Sequence, residues 1–316
     1  MSWCQSADVN VIPTAPIHRP ISERQNSDES MELLRADTWY YVRAKRWHLI
    51  KMLGMLLFAL ASPLVLFLKP GWGAAIGALA GAWVLLGRTA LSWFDDHNAQ
   101  IAVTIQEQFD VELFDLDWNE GLAGHRAGAE DIATAARKIH DDGHLRNWYP
   151  HVDRAPWPLN VLLCQRSSAA WGRRSHASYA TIVCTTGVAW LIAGIVMAVV
   201  AHATVAAYLV TIFLPSQPAF LDTADLFRGH RRLSGEKGTL EHRIDALWSS
   251  GIKNLESVTG QHCREVQDQS YHLRRSGLQI PDRLYRLLRE RDERAMQDAA
   301  ARMMRDLPSD GRTDAE

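Results

Sequence analysis

Four apolar segments, set in two close pairs with a long charged stretch between them, dictate what this chain can become. The first pair covers residues 52–68 and 71–87, the second 180–201 and 203–221. Each approaches the ~20 residues with which an α-helix crosses a ~30 Å hydrocarbon core. Lys69 and Pro70 divide the first pair, and His202 divides the second. Connections that short hold no folded domain, so each pair reads as a tight transmembrane hairpin. The predicted fold is an all-α integral membrane protein with four spans and everything else on one side. Composition by itself conceals this, because polar segments dilute the spans to a mean hydropathy of -0.16.

Charge sets the orientation. Arg35, Arg43, Lys45, Arg46 and Lys51 precede the first span, and Arg88 follows the second. Arg166, Arg173 and Arg174 precede the third, and Arg228, Arg231, Arg232 and Lys237 follow the fourth, against Lys69 alone in the hairpin loops. The positive-inside rule then places both termini and the middle region in the cytoplasm. No Asp, Glu, Lys or Arg lies well inside a span, which argues against a proton relay or an ion-coupled carrier. Cys4, Cys164, Cys184 and Cys263 have no metal-ligand spacing and avoid the hairpin loops, as expected of reduced, cytoplasm-facing thiols.

The expected organisation begins with a flexible cytoplasmic tail over 1–31, marked by Pro13, Pro16, Pro20 and a polar run, with no secretory signal. A juxtamembrane helix (32–51), hairpin 1 (52–87), a cytoplasmic helical region (88–179), hairpin 2 (180–221) and a cytoplasmic helical tail (222–316) follow. Span two is expected to continue as a helix, with Ile101, Ile105 and Phe109 along one stripe. A helix over 130–142 is expected to stop at Gly143, and another to begin at Pro158. Leu240, Ile244, Leu247, Trp248, Leu255 and Val258 predict one long amphipathic helix over 236–266. Pro281-Asp282 then opens a last helix.

Three sets of residues are candidates for function. Gly73, Gly77 and Gly81 share nearly one face of span two and let a neighbouring helix approach closely, either span one or another subunit. Thr204, Tyr208 and Thr211 form a polar stripe in span four that suits a wet pore lining or hydrogen bonding between helices; Thr181, Thr185 and Thr186 open span three in the same way. Arg146, Trp148, Tyr149 and Arg154 combine aromatic faces with guanidinium groups, a set that suits a small nucleotide ligand or the packing of the cytoplasmic region. The carboxylates Glu107, Asp110, Glu112, Asp115 and Asp117 read as a solvated helix face or a surface for a basic partner. His140-Asp141-Asp142-Gly143-His144 reads as a helix end, and no metal site is expected there. No P-loop, dinucleotide fingerprint, nucleophile elbow or zinc-protease helix occurs, so no catalytic residue and no enzymatic cofactor are expected.

The landmarks also occur in a familiar order. Arg24-Gln25-Asn26, Leu33-Leu34-Arg35-Ala36 and Ala44-Lys45 precede span one; Ile105-Gln106-Glu107, Phe109-Asp110, Phe114 and Trp118-Asn119 follow span two. Trp148-Tyr149-Pro150 and Cys164-Gln165-Arg166 come next, then Gln267-Asp268, Tyr271, Arg274, Pro281-Asp282, Tyr285 and Arg289. Around two hairpins, this pattern resembles the four-transmembrane, pore-forming effectors associated with bacterial SMODS nucleotidyltransferases, from about Arg24 to Met304. Asp117 and Ser167-Ser168 depart from that pattern. The resemblance implies an inner-membrane effector of a cyclic-oligonucleotide antiphage system. Its implied ligand is a cyclic oligonucleotide, and its functional partner the nucleotidyltransferase that makes it. A homo-oligomer in the lipid bilayer is implied as well, and no DNA or RNA partner is expected.

Overall fold

Four helical rods dominate the architecture, and every regular element among the described residues is a helix. The computed structural model describes residues 19–308, apart from the side chains at 62, 63, 66, 67, 70, 211 and 215. Helix α1 (Ile21–Arg24) leads into α2 (Asp28–Leu68), a single helix of 41 residues and the first rod. The second rod is α3 (Gly73–Leu86), a π-helical turn (Gly87–Leu91) and α4 (Ser92–Phe114). Short helices α5 (Glu120–Ala123) and α6 (Ala129–Ala136) precede α7 (Leu159–Val200), the third rod. The fourth is α8 (Val205–Tyr208), a second π-helical turn (Leu209–Phe213) and α9 (Leu214–Gly251). Helices α10 (Gly260–Arg275) and α11 (Asp282–Arg305) complete the described chain. At ~1.5 Å per residue such rods are about 60 Å long, twice a hydrocarbon core. One half of each can lie in lipid while the other stands in water.

The rods are joined pairwise at their tips, and α2 lies along α4 while α7 lies along α9. Burial divides them sharply. Leu34, Ile105, Phe109, Phe114, Leu145, Leu162, Leu240, Ile244 and Val266 form one core, entirely within the halves remote from the tips. Toward the tips the order is inverted. The most apolar stretches of Gly73–Phe114 and Leu159–Val200 are only 11% buried. A soluble core helix hides such residues, so these two are helices long and apolar enough to cross a membrane.

Several expected boundaries move. Residues 1–18, including Cys4, lie outside the described residues, but within 19–31 helical turns with buried side chains stand where a tail was expected. Ile21, Gln25 and Met31 are buried, and Ser27 caps α2 by accepting the Ser30 N–H (3.2 Å), with Asp28 and Glu29 in the first turn. The juxtamembrane helix and span one are thus one helix, continuous through Ser62-Pro63. The helix expected over 130–142 ends at Ala136, and Gly143 opens a 3-10 turn. The amphipathic helix expected over 236–266 is two helices. Asn254 caps a turn at Leu255–Ser257, and a Thr259–His262 capping box starts α10 afresh. The continuation of span two, the start after Pro158 and the opening at Pro281-Asp282 occur as expected.

Candidate functional site

The apolar halves of the rods are bounded by aromatic side chains. Trp72, at the tip of hairpin 1 beneath the Lys69 ammonium (5.8 Å), and Trp93, stacked on His97, are both exposed. They stand about 30 Å apart along the second rod, a separation that suits interfacial tryptophans. Close approach within hairpin 1 occurs at Gly54, where any side chain would overlap the Trp83 indole. The glycines singled out in the sequence behave differently: a Cβ added to Gly77 or Gly81 meets nothing within 4 Å. That face points away from span one.

Hairpin 2 is closely packed at two glycines. A Cβ on Gly187 would lie 2.8 Å from Thr223, and one on Gly194 would lie 3.7 Å from Tyr208 and 3.2 Å from Ile212. Tyr208 therefore packs on span three. Thr204 is the N-cap of α8, its hydroxyl accepting the Ala207 N–H (3.2 Å), and the side chain of Thr211 lies outside the described residues. Thr181 and Thr185 donate to the carbonyls of Ala177 and Thr181 (3.1 and 3.0 Å). In this subunit those polar groups serve the backbone and helix packing.

In the half remote from the tips, landmark residues far apart in sequence meet in a buried ionic network. Asp110 accepts from Arg274 (2.5 Å), Gln267 (3.0 Å) and the Tyr149 hydroxyl (2.6 Å). Glu107 accepts from Arg264 (2.6 Å) and Gln267 (2.7 Å), and Gln165 donates to Gln267 (3.1 Å) and to the Cys263 carbonyl (2.8 Å). Arg264 also reaches Asp268, which accepts from Asn119. Charges buried this deeply persist only when paired and hydrogen-bonded. The expected solvated acidic face is therefore corrected for Glu107 and Asp110, which clamp α4 to α10. Glu112 and Asp115 pair with Arg126 and Arg24. Asp37 is a buried carboxylate with one oxygen unpartnered, and burial pushes its pKa well above the usual carboxylate range.

The proposed nucleotide contacts do not converge. Tyr149 is buried against Phe109 and Phe114, with its backbone N–H donating to Gln25 (2.7 Å), so its face is not free to stack on a base. Trp148 packs on the same core, while Arg146 and Arg154 are exposed. Among the described residues no group of three or more His, Cys, Asp or Glu side chains could hold a metal.

No sequence pattern announced the pair His176 and His230, which lie 54 positions apart on α7 and α9 with Nδ1 atoms 2.7 Å apart. One ring must donate and the other accept, so the two cannot both be charged. Burial, with Lys237 added at His176 and His48 at His230, lowers their pKa values from 6.5 to about 3 and about 4. Tyr179 covers the His230 ring edge-on, and buried Lys237 is itself lowered to about 8. Groups depressed on folding stabilise the protein above their unfolded value and lose that contribution as pH falls. Thermal stability should therefore drop as pH falls from about 6.5 toward 4, and the drop should shrink in His230→Leu. A variant with the wild-type pH profile would show that the pair does not titrate with unfolding.

The profile of the SMODS-associating 4TM effector domain matches residues 19–303. The chain belongs to this family. This 4TM effector is 26% identical over 285 residues to a protein of Bacillus cereus (strain VD146) named "Probable CBASS effector molecule", a match covering 87% of this chain and 95% of that protein. No solved structure matches it significantly. Membership in a 4TM family implies four membrane spans, whereas two described helices are long and apolar enough to qualify. The other two apolar segments end α2 and run through α8, its π-helical turn and the start of α9, and in each of them some side chains lie outside the described residues.

Proposed function

We propose that this 4TM effector crosses the bacterial inner membrane four times, with both termini in the cytoplasm, and acts in a CBASS antiphage system. A partner nucleotidyltransferase supplies a cyclic oligonucleotide, the effector assembles into a homo-oligomer, and the membrane becomes leaky. One observation carries the membrane part. All four rods expose large aliphatic side chains toward their joined tips, among them Leu53, Leu57 and Leu64, Leu79 and Leu85, Ile192 and Val196, and Val205, Val210 and Leu214. Water would not leave such a surface uncovered, and lipid covers it at no cost. The antiphage part rests on the name of the Bacillus relative and on family membership. Thr204, Tyr208 and Thr211 are the proposed wet face of the open assembly. Opening then requires Tyr208 to leave Gly194.

Reporter fusions at Asp142 and after Leu307 should read as cytoplasmic, and one at Pro70 as periplasmic. Co-expression with the cognate nucleotidyltransferase and its trigger should collapse the membrane potential and admit a normally excluded dye. Growth arrest with potential and dye exclusion intact would leave a membrane-anchored signalling protein as the better reading.

A further inference from the structure

A cavity of about 480 Å³ lies between the two hairpins, within the ~300–1,000 Å³ of ordinary ligand pockets. Its lining changes character along the rods. Rods one and two are antiparallel, with Trp83 donating to the Lys51 carbonyl (3.4 Å) and His48 meeting Asp95 (3.1 Å), so their lining residues can be ranked by depth. Met52, Met55, Trp83 and Val84 lie nearest the tips. Lys51, Arg88 and Ser92 come next, and Asp95 and Asp96 lie beyond them toward the cytoplasmic core. The cavity is thus apolar on its membrane side and charged, with both signs, just below.

Among the described residues, three of the charges lining the cavity make no direct ion pair, although Lys51 and Asp96 lie near enough to feel each other's charge. Lys51 donates to the Ser92 hydroxyl (3.3 Å) and Arg275 to the Leu122 carbonyl (3.3 Å), neither of them an anion. Asp96 has no hydrogen-bond or ion-pair partner among the described residues. Arg88, by contrast, is held by Asp222 (2.8 Å). A multiply charged anion would satisfy Lys51 and Arg275 but face Asp95, Asp96, Asp222 and Asp225; a simple cation would meet the reverse problem. A ligand with a phosphate and an ammonium satisfies both signs, and the apolar end calls for hydrocarbon attached to it.

We propose that this cavity holds a zwitterionic aminophospholipid, its phosphodiester between Lys51 and Arg275, its primary ammonium on Asp96, and its chains along Met52, Met55 and Val84. The assignment takes the depth of the hairpins from the four-span reading above. A primary ammonium donates three hydrogen bonds to carboxylates, whereas a trimethylammonium donates none. The cavity therefore distinguishes phosphatidylethanolamine from phosphatidylcholine, and its carboxylates disfavour phosphatidylglycerol.

Full-length protein in detergent, titrated with these three lipids carrying identical chains and followed by native mass spectrometry, tests the assignment without requiring any leak activity. One phosphatidylethanolamine should be retained, with the other two bound roughly tenfold more weakly, the size of one charge-assisted contact. Asp96→Asn changes an exposed carboxylate and should reduce phosphatidylethanolamine to the level of phosphatidylcholine. Lys51→Gln should weaken both alike. Equal binding of the three lipids, or an unchanged preference in Asp96→Asn, overturns the proposal. So does binding of chain-free glycerophosphoethanolamine as tight as that of the lipid. Failure of the topology fusions would instead refute the four-span reading.

Discussion

Arg274→Met should abolish the fold of the half remote from the tips, or lower its stability by a large part of what a domain possesses. The Arg274 side chain is only 9% exposed and donates to Asp110, whose carboxylate is inaccessible to water. Removing the guanidinium leaves that carboxylate with only the Tyr149 hydroxyl and the Gln267 amide. Breaking a buried pair from one side costs about 3–5 kcal/mol, against a typical total of ~5–15 kcal/mol. Loss of the cooperative melt, or of protein recoverable from membranes, is the expected readout. The double variant Arg274→Met with Asp110→Leu should recover part of that loss, since it removes the stranded charge while still leaving Tyr149 and Gln267 short of a partner. A single variant that melts like the wild type would mean that the network contributes nothing to holding α4 and α10 together.

The network also shows how far the sequence could be read. The hairpins, the start after Pro158 and the opening at Pro281-Asp282 were legible because they depend on local features: apolar runs, short breaks and proline geometry. The role of residues 19–31 was not. Pro20 and the polar run after it look like a tail, and their burial depends on Gln25 bonding the backbone of Tyr149, 124 positions away. The misread acidic cluster did carry a signal. Val103, Glu107, Asp110 and Phe114 fall at helical spacing on one stripe, and all four are buried. Two carboxylates on an apolar stripe require buried partners, and Arg264 and Arg274 were among the remaining cations. The pair His176 and His230 offered no such clue, because its two halves are brought together only by the register of α7 on α9.

Two glycines in hairpin 1 separate contact within a subunit from contact between subunits. Gly54→Leu places a branched side chain where the Trp83 indole already sits. Either the indole leaves its bond to the Lys51 carbonyl or the hairpin spreads; overpacking of this kind costs about 1–3 kcal/mol, and more where a backbone must move. Reduced insertion or rapid degradation of the monomer is expected. Gly77→Leu meets open space inside the subunit, so the monomer should insert and melt as before. Any loss of cross-linked oligomer and of leak in that variant must then arise from a second chain approaching the Gly77–Gly81 face, where van der Waals contact between backbones drives helix association. Because the two substitutions are chemically identical and only 23 positions apart, general effects of added bulk in a span are controlled. If Gly77→Leu still assembles and leaks like the wild type, that face is covered by lipid alone, and the subunits of the proposed oligomer must meet elsewhere.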